Sequence, residues 1–276
     1  MSLSIHTNFA SLVTQNTLSK NNNMLSTAMQ RLGTGLRINS SADDAAGLQI
    51  ANRLTAQTRG MAVAQRNSQD AISMLQTADG SLDELSSIAF RMKDLATQAA
   101  NGTNTTADNT ALNSEYGELK AEVTRIMQNT TYGGSKLLEG GKLASAVTFQ
   151  IGASTSDTLA FDASAEIGAV TTAYGAAGTI DTQANATTAM GNLDTLISSV
   201  GAARAKFGAN INRLDHTINN LATISQNTEA AKGRIMDADF AKETSNMTKQ
   251  QLLMQTGMSV LSNANQMSGL VTSLLR

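Results

Sequence analysis

The sequence predicts a mainly α protein: a long antiparallel coiled-coil-like helical bundle with a small tip that contains β-hairpins. Three observations carry that expectation. None of the 276 residues is Pro, so nothing of that kind breaks a long helix. Apolar residues recur seven apart in rows near both chain ends. Between the two halves, residues 130–188 turn to Gly, Ala, Ser and Thr with short alternating segments.

The first helix is written by Leu18, Leu25 and Leu32, seven apart, with Ala28, Met29 and Leu36 on the same face and no charged residue before Lys20. Ser41 followed by Asp44 resembles a capping box and sets a second helix start near residue 43. Leu48, Leu54 and Met61 lead into a nearly complete seam. One of its rows is Leu75, Leu82, Ala89 and Ala96; the other is Ala71, Ala78, Leu85, Met92 and Ala99. Polar residues from Asn101 to Asn109 read as a loop. A shorter helix follows through Leu112, Tyr116, Leu119, Val123 and Ile126, and Gly133 with Gly134 is expected to end it. Residues 130–188 read as one or two β-hairpins on a loop-rich tip, with strands at Val147–Ile151 and Thr158–Phe161.

The helical pattern then returns. Leu193, Val200, Phe207, Leu214 and Leu221 form one row, and Met190, Ile197, Ile211 and Ile218 a second that only Arg204 interrupts. From Gln250 to Leu275 the chain carries no charge, yet twelve apolar side chains are interleaved with twelve Ser, Thr, Asn and Gln. Its rows are Phe240, Met247, Met254, Leu261, Leu275 and Leu253, Val260, Met267, Leu274, with Gly257, Ala264 and Val271 between them. Such a stripe is built to be buried against protein, and two amphipathic ends on one chain are expected to meet each other. Ordering the 36 residues from Phe240 to Leu275 costs roughly 1–2 kcal/mol each, against roughly 1.5–3 kcal/mol returned by each of about ten buried apolar side chains. The terminal segments are therefore expected to be disordered in a monomer and to fold when subunits pack.

Composition removes several function classes. A net charge of −2 and 3% aromatic residues provide neither a basic stripe nor a stacking platform for nucleic acid. The longest unbroken apolar run near the C-terminus is Leu252-Leu253-Met254, far short of the roughly 20 residues of a membrane span, so no membrane insertion is expected. The N-terminus has neither the basic region nor the apolar core of a cleaved secretory signal. No Cys is present for disulfides or thiolate metal sites. His6 and His216 lie far apart and outside any His-Glu-x-x-His motif, which leaves no material for a catalytic triad or zinc site. Asp237 and Asp239 lack EF-hand spacing and suit a helix start better. No catalytic, cofactor or metal residues are expected. Asn-x-Ser/Thr matches at Asn39, Asn101, Asn104, Asn129, Asn185 and Asn246 are weak signals, and the Ser/Thr-rich residues 153–188 are the better candidates for attached sugars.

Several segments resemble bacterial flagellin. Ser40–Arg53 reads SSADDAAGLQIANR and Gln65–Ser73 reads QRNSQDAIS, similar to the N-terminal signature of that family. Ser245–Gln251, SNMTKQQ, and Ser259–Gln266, SVLSNANQ, with the closing Ser273–Arg276, SLLR, resemble its C-terminal signature. The resemblance covers about the first 140 and last 90 residues. Tyr132-Gly133-Gly134 departs from a common Phe-Asn-Gly, Met267-Ser268-Gly269 lacks a common proline, and the outer domains of many relatives have no counterpart.

The resemblance implies a structural protein that self-assembles into the helical filament used for swimming, secreted to the cell exterior by flagellar type III export. Residues 1–43 with 234–276 would be the paired terminal helices of the inner tube, D0, and residues 44–233 the next shell, D1, including the tip at 130–188. The terminal assembly stripe would be Leu18, Leu25, Leu32, Met247, Met254, Leu261, Val271, Leu274 and Leu275. Implied partners are other copies of the chain, the filament cap, hook-associated proteins, the export chaperone, and in a host the Toll-like flagellin receptor and inflammasome sensors. By family position Arg91, Leu95 and Glu115 would face the Toll-like receptor, and Val271, Leu274 and Leu275 the inflammasome sensors and chaperone. By residue type alone, Leu95 neighbours the Ala96 seam and Arg91 and Glu115 read as solvated face charges. The rival readings are a hook-filament junction protein and a monomeric secreted spacer, the latter leaving a large apolar stripe in water.

Overall fold

The structure, a computed structural model, describes residues 8–274, with side chains described through residue 267. Val271 and Leu274 lie beyond the described side chains, and His6 and Leu275 beyond the described residues altogether. Among the described residues six α-helices run in chain order as α1 (Phe9–Thr34), α2 (Ala45–Ala99), α3 (Thr106–Asn129), α4 (Ser164–Gly175), α5 (Gln183–Met236) and α6 (Phe240–Leu274). Four short strands, β1 (Thr131–Tyr132), β2 (Ser135–Lys136), β3 (Val147–Gln150) and β4 (Thr158–Phe161), lie between α3 and α4. The chain divides into two compact units, a terminal one of residues 1–56 with 227–276 and an inner one of residues 57–226. The division falls inside α2 and α5.

In the terminal unit α1 begins where the Asn8 side chain accepts from the Ser11 backbone N–H at 3.1 Å. It ends at Gly35, whose φ of 72° is the left-handed conformation that glycine reaches without a Cβ penalty. α6 begins where the Asp239 carboxylate accepts from the Ala241 and Lys242 N–H groups at 3.0 and 3.1 Å. The two helices pack against each other in antiparallel sense, as their amphipathic patterns predicted. Beside them the chain closes through a β-bridge between Leu36 and Asp237, with Arg37 N–H donating to Met236 O at 2.6 Å and Ala238 N–H to Gly35 O at 2.9 Å. The start of α2 is capped by Asp44, which accepts from Gly47 N–H at 2.8 Å; Ser41 lies outside the helix and takes no part in the cap.

The inner unit holds one large core and a smaller satellite cluster. The first row of α5, Leu193, Val200, Phe207 and Leu214, is completely buried, as are Leu75, Leu82, Ala89 and Ala96 of α2. Leu221 continues the α5 row in a smaller cluster with Met61 and Ala64. Tyr116, on the apolar face of α3, donates its hydroxyl to Ala177 O at 2.6 Å, so this buried polar tip is satisfied. Phe161 of β4 meets Phe207 with ring centroids 5.7 Å apart and planes tilted by 55°. Arg204, the break in the second α5 row, bridges to Asp79 at 3.0 Å and Asp83 at 2.5 Å on α2. Lys93 of α2 likewise pairs with Asp194 of α5, and Lys206 of α5 with Glu166 of α4 at 2.8 Å.

Two details of the middle differ from expectation. Gly133 and Gly134 do not end α3, which stops at Asn129; with φ of 55° and 78° they form the two-residue turn of the β1–β2 hairpin. The segment after the β3–β4 hairpin is not loop but α4. Its signal was Ile167, Val170 and Tyr174 at helical spacing, all buried. The pattern was masked because the intervening residues are small or apolar, and Thr171, Thr172 and Gly168 are poor helix formers. The β3–β4 hairpin itself pairs Val147 with Phe161 and Gln150 with Thr158, and its loop rests against α2: a Cβ on Gly60 would lie 2.8 Å from that of Ala153.

Candidate assembly and recognition surfaces

The first surface is built on α1 and α6. Their contacts climb one helix as they descend the other. The Asn8 side chain donates to Ala264 O at 2.9 Å, Gly257 opens space for Leu18, Gln250 Nε2 reaches Met24 Sδ at 3.7 Å, and Arg31 pairs with Glu243 at 3.3 Å. Of the expected stripe, Leu25 is buried and Leu18, Leu32, Met247, Met254 and Leu261 are half-buried in this subunit. The second row faces the other way: Leu253, Val260 and Met267 are exposed, together with Leu252, Met258 and Phe240. On α1, Phe9, Leu12, Val13, Met24 and Met29 are exposed as well. Pairing of the ends thus uses Met247, Met254 and Leu261 of one α6 row, leaves Phe240 at the start of that row exposed, and leaves the second row open, a larger uncovered apolar surface than scattered single residues produce.

Polar groups are buried inside this pair, and sequence reasoning missed them. Gln250 is 9% exposed and Glu243 8%. Glu243 is matched by Arg31, which also approaches Asp43 at 3.9 Å. Hydrogen bonds from the backbone of Ser40 and Asn39 hold the Asp43 carboxyl below its usual range. The available signal was that Arg31 and Glu243 are charges set into otherwise apolar helical faces.

The second surface is on the inner unit. Arg91 of α2 and Glu115 of α3 are both exposed and joined by two hydrogen bonds, Nε to Oε1 at 3.0 Å and Nη2 to the same oxygen at 2.6 Å. Leu95 does not share their exposure. At 2% exposed it belongs to the core, with the buried α2 seam, and not to this exposed patch. Phe90, 55% exposed and next to Arg91, was not anticipated, although its place outside both seam rows was visible.

His216 is exposed on α5, and Asp239 serves as the α6 cap. Among the described residues no group of three or more His, Asp or Glu side chains gathers to hold a metal, and no helix is long and apolar enough to cross a membrane.

Comparison with known proteins agrees with this geometry. The model of the bacterial flagellin N-terminal helical region matches residues 5–143, and that of the C-terminal helical region matches residues 190–275. A flagellin of Halalkalibacterium halodurans is 42% identical over 250 residues, covering 90% of this chain and 91% of that one. The flagellin of Bacillus subtilis is 38% identical with 99% of both chains covered. Flagellin A of Vibrio anguillarum, 35% identical with full coverage of both, aligns over 381 positions, so it carries insertions that these 276 residues lack. Among solved structures, Bacillus cereus flagellin is 37% identical with a TM-score of 0.50, covering 60% of this chain and 94% of that one. A structure from Vibrio parahaemolyticus described as a flagellar hook-associated protein shares the fold alone, at 16% identity and a TM-score of 0.57 over 71% of this chain and all of that one. Paired chain ends with an open apolar row, matched by both flagellin regions and by flagellins along its length, mean that the chain belongs to the bacterial flagellin family, the structural subunits of the extracellular flagellar filament.

Proposed function

We propose that this subunit polymerises through the open rows of its terminal unit, which are buried against the α1–α6 pairs of neighbouring copies. The observation that carries this is the set of exposed apolar side chains on both terminal helices, Phe9, Leu12 and Val13 on one and Leu252, Leu253 and Val260 on the other. Different patches meet in such a contact, and a rotation that does not close gives an open helical fibre. In this reading residues 1–43 and 234–276 line the inner tube and residues 44–233 form the surrounding shell. The assembly stripe is Leu18, Leu25, Leu32, Met247, Met254, Leu261, Val271, Leu274 and Leu275, in which the half-buried members hold the pair together beneath the open row. The role is structural rather than enzymatic.

Family resemblance adds finer expectations: unfolded secretion through the flagellar export channel, delivery by a chaperone that holds the C-terminal segment, growth beneath a cap, and attachment through hook-associated proteins. Arg91 and Glu115, together with the buried Leu95, are the residues proposed for a host Toll-like receptor, and Val271, Leu274 and Leu275 the segment proposed for inflammasome sensors.

The test is seeded growth. Purified full-length monomer is given sheared filament fragments and imaged by negative-stain electron microscopy beside a variant lacking residues 250–276. Long uniform filaments from the intact chain and none from the truncation are expected. Persistent monomer from the intact chain would overturn the reading.

A further inference from the structure

The chain has thirteen methionines and no cysteine, so thioethers are its only sulfur chemistry. The fold sorts them. Met61, Met74, Met92 and Met127 of the inner unit are buried, each 5% exposed or less. Met24, Met29, Met258 and Met267 of the terminal unit are about half exposed or more, from 49% to 61%, and all four lie on the two helices whose open rows carry the proposed subunit contacts. Met24 has a second role, because its sulfur accepts from Gln250 Nε2 across the α1–α6 pair.

We propose that these four methionines make the free subunit sensitive to peroxides, through a modification that blocks assembly and that assembly itself prevents. This rests on the proposed burial of the terminal rows between subunits. In the reaction a thioether lone pair attacks one peroxide oxygen, the O–O bond breaks, and the second oxygen leaves as water after proton transfer. Sulfur is oxidised to the sulfoxide and hydrogen peroxide is reduced to water. A flexible apolar side chain becomes a dipolar one. Its new oxygen would be carried into a contact that provides apolar partners, where burial without a hydrogen bond is unfavourable. In a filament the same sulfurs are covered, and peroxide reaches them slowly.

Full-length monomer and finished filaments are exposed to hydrogen peroxide, quenched, and mapped by peptide mass spectrometry, and the treated monomer is then offered untreated seeds. The expected result is oxygen gain at Met24, Met29, Met258 and Met267 before Met61, Met74, Met92 and Met127 in the monomer, with strong protection of those four in the filament. Treated monomer should need a concentration about tenfold higher to extend seeds, and methionine sulfoxide reductases acting on both epimers should restore growth. A variant with Leu at all four positions, compared with itself untreated, should lose the peroxide effect. Equal oxidation of inner and terminal methionines, normal growth of treated monomer, or an undiminished peroxide effect on the Leu variant would each overturn the proposal. If untreated monomer failed to extend seeds, the assembly reading would fall, and the order of oxidation along the chain would still decide whether this patch is the reactive one.

Discussion

The inner unit and the terminal unit use the same seven-residue grammar to different ends. In the inner unit both α2 rows and the leading α5 row are covered, and the apolar side chains left exposed, such as Val63, Phe90 and Ile224, are isolated along the helices. In the terminal unit one row is used within the subunit and a second is left open. The inner unit has most of α2 and α5, α3, α4 and two hairpins with which to close a core; the terminal unit has the α1–α6 pair with only the start of α2 and the end of α5. Two helices alone cannot cover two rows each. An amphipathic pattern therefore states that a surface will be buried, and the number of neighbouring elements decides whether the chain or its copies will bury it.

The contrast can be broken most directly at Phe207. Replacing it with Ala removes a fully buried ring beside Phe161, and the inner unit should lose about 3–5 kcal/mol, read from its thermal unfolding by circular dichroism. A loss under about 1 kcal/mol would mean that the inner core is not the tightly packed partner in this comparison.

Next comes Arg31→Met, which leaves the Glu243 carboxylate buried without its cation. It should weaken the α1–α6 pair by about 1–3 kcal/mol, seen as a lower depolymerisation temperature of filaments with the inner-unit melt unchanged. Equal depolymerisation of wild type and variant would remove this ion pair from the account.

Alkaline pH should act on the inner unit. Burial pushes the Tyr116 hydroxyl up to about 12, and burial together with the Glu139 carboxylate does the same to Tyr174. Both folded values lie above the unfolded 10.0, so the associated stability is complete below that pH and is lost as pH rises through about 12. Unfolding midpoints measured across this window should fall, and less steeply in Tyr116→Phe.

The smallest effect on folding belongs to Val260→Ser. This residue is exposed in the subunit, so inner-unit stability should stay within about 0.5 kcal/mol while seeded growth slows. Unchanged growth would show that the open α6 row is not a contact.

Much of this was legible in the residues. Leu193, Val200, Phe207 and Leu214 form the α5 row that no polar residue interrupts, whereas Arg204 breaks the other, and all four are buried. In α6 two rows of similar composition compete, and nothing in Met247-Met254-Leu261 against Leu253-Val260-Met267 says which faces α1; in the structure Gly257 faces Leu18, where a Cβ would lie 3.2 Å from that side chain. α4 escaped notice because periodicity needs polar contrast, and its segment has little. Leu95 was a surface residue by family position and a core residue by its place beside the seam; the structure follows the seam.

The ladder between α1 and α6 also sets an order in time. Asn8 and Ala264 are separated by 256 residues, so this contact closes almost the whole chain on itself. Loop closure costs more for a longer loop, so the terminal pair is expected to form after the inner unit has folded and shortened it. A chain cut short by an interrupted ribosome or a protease could complete its inner core and still lack the pair. Long-range closure thus makes the pair conditional on both ends: only a polypeptide carrying them can form it.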